Sequence, residues 1–257
     1  MAIILPANTL STGGYEVANS CRFNAADSAY MHKTSGSTGS SRTLTYSGWC
    51  KKSLTSGTAW QWLFHISETD GVPGFGVGFN GHYIEIINLT TTGGGTYTIQ
   101  LKTDAIYRDP AAWIHVCVAF DTTQGTASNR VKLYVNGTRV TSFSTETYPS
   151  ENEDLQLIGG TAQAIEVGRD NYGGGAGASF FDGYMAEVVF IDGTAYAASD
   201  FGEFDEDSPT IWKPKNVSGL TFGTNGFYLD FKDSANLGND ANGGTDLTEV
   251  NLAATDQ

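Results

Sequence analysis

The sequence consists largely of short runs in which apolar and polar residues alternate, and glycine-rich turns separate these runs about every ten residues. In VKLYVNGTRV, residues 131–140, the alternation leads directly into Asn136-Gly137. Asn-Gly at this place predicts a β-hairpin, because a type I′ turn needs a positive φ at both central positions. Similar runs recur as TLTYSGWCKK, AWQWLFHIS, GFGVGFNG and WIHVCVAFD. This spacing predicts an all-β fold, an antiparallel β-sandwich of the jelly-roll type.

One of these runs, AWQWLFHIS, is rich in aromatic residues. Successive side chains of a strand point to opposite faces, so the run predicts Trp60, Trp62, Phe64 and Ile66 on a single face. Aromatic residues that share a strand face usually belong to the core, and this is the preferred interpretation. The alternative is that Trp60 and Trp62 stack on a sugar ring.

The run WIHVCVAFD predicts an inner strand face formed by Ile114, Val116, Val118 and Phe120. His115 lies in the same run, and we expect it to be a hydrogen-bonded inner residue rather than a base. The four histidines are far apart, without the spacing of a zinc site: His32, His65, His82 and His115.

The formal net charge of −14 disfavours binding to nucleic acid and to anionic membranes. No run has the length needed for membrane insertion. The charge favours solubility, and clustered carboxylates that bind a divalent cation are the alternative. The odd number of cysteines predicts free thiols and synthesis in a reducing compartment: Cys21, Cys50 and Cys117.

The pattern divides the chain into three parts. Residues 1–20 form an N-terminal arm, whose opening MAIILPANTL lacks the basic lead of a secretory signal. Residues 21–205 form the sandwich, which ends with a helical turn or two in TAYAASDFGEF. Residues 206–257 form a C-terminal extension with one clear strand, GFYLDF, and we expect it to pack on the sandwich or to lead away from it.

Several motifs occur in a fixed order along the sandwich region. They include Trp113-Ile114-His115-Val116, then Leu133-Tyr134-Val135-Asn136-Gly137, and then Phe181-Asp182-Gly183-Tyr184-Met185-Ala186-Glu187-Val188. This order resembles the laminin-G/pentraxin-like branch of the concanavalin A-like jelly rolls over about residues 21–204. The resemblance implies a structural hydrogen-bonding role for Glu187.

The ends of the chain carry a second resemblance. ILPANTLSTGGYEVANSCRFN and GFYLDFKDSANLGNDANGG resemble segments of virion proteins from marine tailed bacteriophages. The resemblance implies a non-enzymatic structural or appendage protein, such as a tail fibre, on the particle surface or tail. It implies a homo-oligomer made in the host cytoplasm that contacts other virion proteins and presents loops to a host surface glycan. The alternatives are a capsid or decoration subunit without a ligand and a polysaccharide depolymerase.

A depolymerase would need paired carboxylates beside the scissile sugar bond. Glucanases that the chain resembles in fold use a compact Glu-x-Asp-x-x-Glu run, and this sequence has no such run. Glu85 stands alone, and strand parity puts Glu187 and Asp192 on opposite faces. The sequence therefore predicts that the protein is not an enzyme.

Two glycine-rich loops have the chemistry of a binding site. In the first, Asp170, Asn171 and Tyr172 predict sugar recognition, since a ring can stack on tyrosine while the polar groups bond hydroxyls. Calcium is the predicted cofactor, because carboxylate, amide and main-chain oxygens suit it. Its predicted ligands are Asp170 and Asn171 in this loop and Asp240, Asn242 and Asp246 in the second. For both loops, an ordinary polar turn is the preferred interpretation, and binding is the alternative.

The stretch Gly76-Val77-Gly78-Phe79-Asn80-Gly81 has the form GxGxxG. A dinucleotide site would need a helix after it, and no helical pattern follows. We therefore expect strand glycines that pack closely against neighbouring side chains.

Overall fold

The computed structural model describes residues 14–53, 60–68, 74–90, 96–155, 162–171 and 179–257, and the statements below concern these residues. Their main elements are strands. The helices are short: α1 (Ala127–Arg130) and the 3-10 turns Ala25–Asp27, Ala198–Asp200 and Ala254–Asp256. In this part of the chain, no helix has the length and apolar character needed to cross a membrane.

Two antiparallel sheets form the body of the molecule. In spatial order, sheet A contains β1 (Cys21–Phe23), β13 (Gly183–Asp192), β3 (Thr43–Lys52), β8 (Ile114–Asp121), β9 (Val131–Val135) and β10 (Thr138–Arg139), and β16 (Phe227–Leu229) also pairs with β13. Sheet B contains β11 (Phe143–Thr147), β7 (Tyr97–Thr103), β6 (Tyr83–Leu89), β5 (Gly74–Asn80), β4 (Trp60–Ser67), β12 (Ala164–Val167), β2 (Tyr30–Thr34) and β17 (Thr248–Val250). A separate hairpin joins β14 (Gly202–Phe204) to β15 (Trp212–Pro214).

The two sheets pack face to face over one apolar core. Phe64 of sheet B lies between two rings of sheet A, with centroids 5.1 Å from Tyr46 and 5.0 Å from Phe190. Burying large aromatic side chains in this way is a main source of stability for a sandwich. The predicted all-β antiparallel sandwich is confirmed.

The hairpin predicted for residues 131–140 is also confirmed. β9 and β10 pair through Val135 and Thr138, and the turn residues Asn136 and Gly137 have φ values of 47° and 74°. These are the two left-handed positions that a type I′ turn requires.

The C-terminal part of the chain adds strands to both sheets. β16 extends sheet A beside β13, and β17 forms an edge of sheet B beside β2. Residues 194–226, the cover segment, pack on the outer face of sheet A. There they form a second apolar cluster, in which Phe201, Val217 and Phe222 contact side chains of β8 and β13.

His115 lies between sheet A and the cover segment. Its Nε2 is 2.8 Å from Ser47 Oγ, and the indole N–H of Trp212 donates to its Nδ1 over 3.1 Å. Because Nδ1 accepts, the ring proton is on Nε2. The side chain is buried and hydrogen-bonded as predicted, but it does not face the sandwich core. The inner face of β8 belongs to Val116 and Val118, so His115 points outward.

The three cysteines, Cys21, Cys50 and Cys117, are free, as predicted, and the structure buries all three. Burial raises the pKa of the Cys50 thiol to about 12. Such a thiol stays protonated and unreactive at neutral pH.

Gly137 is constrained both by its backbone and by Trp212. A Cβ at this position would lie 2.3 Å from the indole Cε3, at a φ of +74°. Gly137→Ala should therefore lower the free energy of unfolding by about 2–4 kcal/mol, through left-handed strain and displacement of the ring. Gly125→Ala is the matched control, because its Cβ would meet no atom within 4 Å. Equal melting temperatures for the two variants would contradict this account.

The buried His115 should make stability depend on pH. Burial lowers its pKa from 6.5 to about 3, so the folded protein keeps the ring neutral where the unfolded chain binds a proton. Stability is therefore lost as pH falls from 6.5 towards 3. In urea titrations across this range, His115→Gln should reduce the pH slope by up to one proton, about 1.4 kcal/mol per pH unit. A variant with the wild-type slope would refute this role.

Candidate functional site

The outer face of sheet B carries two tryptophans. Leu63, Phe64 and Ile66 of β4 belong to the apolar cluster between the sheets, whereas Trp60 and Trp62 do not. Trp62 is nevertheless buried, with 2% of its surface exposed, and Trp60 is partly exposed. The prediction that both tryptophans share the inner face with Phe64 and Ile66 is wrong, because a bulge between Trp62 and Phe64 shifts the register by one residue. The two indole rings stack on the outer face, with centroids 4.6 Å apart and planes 13° apart.

Two glycines of β5 make room for Trp62. A Cβ on Gly76 would lie 2.4 Å from the indole Cζ3, and a Cβ on Gly78 would lie 2.5 Å from the carbonyl oxygen of Gln61. The GxGxxG stretch is therefore a strand whose glycines pack closely against neighbouring groups, as expected from the sequence. A side chain at either position would push the tryptophan pair away from the sheet.

A buried ion pair lies on β12 and in the turn that follows it. The Arg169 guanidinium donates to Glu166 Oε1 from Nε at 3.1 Å and from Nη2 at 2.5 Å. Its Cζ lies 3.6 Å from the ring centroid of Tyr30 on β2. Glu166 pairs in register with His65 on β4 and with His32 on β2. No sequence motif points to this cluster. Its one signal in the sequence is that Glu166 and Arg169 lie three positions apart at the end of β12.

Asp170 and Asn171 follow the ion pair directly, and the structure places them inside the molecule. Asp170 is 5% exposed and Asn171 7% exposed. The carboxylate of Asp170 accepts the backbone N–H of Ser179 at 2.7 Å. Burial raises the pKa of Asp170, and the hydrogen bond from the Ser179 N–H opposes that rise. The nearby Trp62 indole also opposes it, although its N–H makes no hydrogen bond of good geometry with any described residue. Asp170 therefore lies beside the tryptophan pair. Tyr172, the third predicted sugar ligand, lies outside the described residues.

The second predicted loop is held together by its own carboxylates. Asp240 Oδ1 accepts the backbone N–H groups of Tyr228 and Asn242 at 2.9 Å and 3.0 Å. Asp246 accepts from the Asp240 N–H and from the Asn236 amide, both at 2.9 Å. These bonds give the carboxylates a structural role in the loop.

Calcium binding stays a prediction for Asp170, Asn171, Asp240, Asn242 and Asp246. Within the described ranges, no three His, Cys, Asp or Glu side chains come together in a way that could hold a metal ion. Asp240 Oδ2 is buried and accepts no hydrogen bond from this part of the chain.

The acidic residues of β13 occupy separate hydrogen-bond networks. Glu187 has a φ of +51° at a bulge, and its Oε2 accepts the hydroxyl groups of Tyr228 at 2.6 Å and Tyr15 at 2.8 Å. This is the structural hydrogen-bonding role that the resemblance implied. Asp192 accepts from the Ser40 N–H at 2.7 Å and from the Asn225 amide at 2.9 Å. The two carboxylates thus share no hydrogen-bond partner in these networks.

Solved structures with the same architecture are distant in sequence. A candidate carbohydrate-binding protein from Bacteroides ovatus is 18% identical, with a TM-score of 0.51 over 90% of this chain and 57% of that one. The heptameric SAP-like pentraxin of Limulus polyphemus is 13% identical, with a TM-score of 0.45 over 72% and 75% of the two chains. Tailspike protein 2 of Escherichia coli O157:H7 bacteriophage CAB120 is 13% identical, with a TM-score of 0.46 over 70% and 23%.

This chain therefore spans little more than half of the Bacteroides protein and about a quarter of the tailspike. A search of curated proteins gave no significant match. The sequence profile of a laminin G family, described as the concanavalin A-like lectin/glucanases superfamily, matches residues 24–199. That match covers well over half of the chain, and it agrees with the two packed antiparallel sheets. The protein belongs to the concanavalin A-like lectin/glucanases superfamily.

Proposed function

We propose that the protein is a non-enzymatic component of a bacteriophage particle, located on its surface or tail, that binds host glycan through the outer face of sheet B. The observation that carries the glycan part is the stacked Trp60–Trp62 pair on the outer face of sheet B, in which Trp60 is partly exposed and Trp62 is buried beside Asp170. The phage part is supported by the resemblance of the chain ends to virion proteins. The concanavalin A-like fold is compatible with glycan binding and with a place in a phage particle.

In this proposal the protein binds the sugar without making or breaking a covalent bond. A pyranose presents an apolar face that can stack on the partly exposed Trp60, while Trp62 holds that ring from behind. Neighbouring polar groups supply hydrogen bonds to sugar hydroxyls. A rigid sandwich fixes these groups before the ligand arrives, which lowers the entropy cost of binding.

The proposal includes a homo-oligomer that contacts other virion proteins. Repetition of a weak sugar site on several copies would raise avidity without new contacts. A purely structural capsid or decoration subunit is the second candidate. It predicts a stable oligomer in light scattering and no glycan ligand. A depolymerase, the third candidate, predicts release of fragments from a host polysaccharide.

The glycan proposal predicts a specific loss on substitution of Trp60. The wild-type protein should bind at least one class of bacterial surface saccharide on a glycan array. Trp60→Ala should weaken that binding about tenfold or more, as expected when a central aromatic contact is removed. Tyr184→Ala is the matched control, because it removes an aromatic residue exposed on sheet A. An empty array for assembled wild-type protein, or unchanged binding by Trp60→Ala, would reject this site.

Calcium binding is proposed at the loop around Asp240, on the basis of the buried Oδ2 atom that lacks a hydrogen-bond donor among the described residues. After chelation, added calcium should raise the melting temperature, because a ligand that binds only the folded state stabilises it by about 2.7 kcal/mol at a hundredfold excess over Kd. Magnesium at the same concentration is the control. No heat in calorimetry and no thermal shift with calcium would remove calcium from the proposal.

A further inference from the structure

A cavity of about 340 Å³ lies on the outer face of sheet A, on the opposite side of the molecule from Trp60. Its lining includes the tryptophans Trp49, Trp113 and Trp212. Residues 17–20 of the N-terminal segment form one side and β15 forms the other. We propose that this cavity is a second binding site, for a neutral saccharide of one or two pyranose units. The inference is independent of the proposed use of the Trp60–Trp62 face.

Trp212 is held so firmly that its ring forms a fixed wall. A Cβ on Gly137 would lie 2.3 Å from the ring, and a Cβ on Gly202 would lie 2.5 Å from it, so two glycine backbones approach it closely. The indole N–H is bonded to His115 Nδ1. A ring fixed in this way loses little conformational entropy when a ligand stacks on it.

A buried ring supports both Trp212 and Trp49. His115 lies between them, with ring centroids 5.9 Å from Trp212 and 5.1 Å from Trp49, and it does not itself line the cavity. Burial keeps the imidazole uncharged, because it lowers the His115 pKa to about 3. At neutral pH the indole rings of Trp49 and Trp212 therefore pack on an uncharged group.

The N-terminal side of the cavity is anchored near its lining. The Tyr15 hydroxyl donates to Glu187 Oε2 at 2.8 Å, and the Tyr228 hydroxyl donates to the same oxygen. Glu187 directly follows Ala186, which lines the cavity. This bond holds residues 17–20 against sheet A and so defines the width of the cavity.

The polar groups at the cavity suit hydroxyls rather than charges. Asn19 and Ser20 provide an amide and a hydroxyl group to the lining. The ammonium of Lys213 is already balanced by Asp205 at 3.4 Å and by Glu203 at 3.7 Å. The formal net charge of −14 repels acidic sugars. A ligand with an apolar face, hydroxyl groups and no charge fits this surface, and the volume is at the lower end of ligand pockets, about 300–1,000 Å³.

The test is an NMR titration of the tryptophan indole N–H signals with neutral disaccharides: maltose, cellobiose and lactose. At least one should shift the Trp113 and Trp49 signals saturably, with a Kd on the order of 1 mM. Trp113→Ala should weaken binding at least about tenfold, since it removes the most exposed wall. Trp60→Ala should leave this titration unchanged, which separates the cavity from the sheet B site.

Tyr15→Phe provides a second, milder variant. It removes the hydroxyl that anchors the N-terminal side but keeps the ring, and we expect a weaker Kd with Trp113 still shifting on binding. The proposal is overturned if none of the disaccharides shifts the Trp113 and Trp49 signals up to about 20 mM, well above the expected Kd. It is also overturned if the shifts persist unchanged in Trp113→Ala. Neither result would affect the array test of Trp60.

Discussion

Strand β13 connects the N-terminal segment and part of the C-terminal region to sheet A, because it pairs along both of its edges. One edge pairs with β3 over almost its full length. The other edge is shared between β1 and β16, which come from the two ends of the chain. The bulge within β13 places Glu187 where it accepts hydrogen bonds from Tyr15 and Tyr228. The N-terminal segment and the cover segment therefore depend on the register of this one strand.

The outer faces of the two sheets differ in what covers them. On sheet A, the cover segment buries apolar side chains in a second cluster and leaves a cavity walled by tryptophans. On sheet B, a stacked tryptophan pair lies close to Asp170, which follows a buried Glu166–Arg169 ion pair. A buried ion pair adds little net stability but orients its neighbours strictly, since a misplaced charge would be costly. Both faces thus carry aromatic rings that neighbouring groups hold in place.

The sequence correctly predicted features that depend only on neighbouring residues along the chain. The Asn136-Gly137 turn and the alternation in β8 follow directly from backbone conformation and the twofold strand period. The same rules failed at Trp60 and Trp62, because a bulge depends on how the partner strand pairs and leaves no sign in its own residues. They also could not predict the bond between Trp212 and His115, which joins residues 97 positions apart. The burial of Asp170 was missed because a polar, glycine-rich sequence is typical of exposed turns as well as of buried ones.

The burial of the thiols determines how the protein responds to different redox conditions. All three sulfur atoms lie inside the fold, unpaired and protonated at neutral pH. The covalent structure is therefore the same under reducing and oxidising conditions, and its folding needs no thiol oxidase or isomerase. A molecule of this kind keeps the same covalent bonds when it passes from a reducing to an aerobic medium.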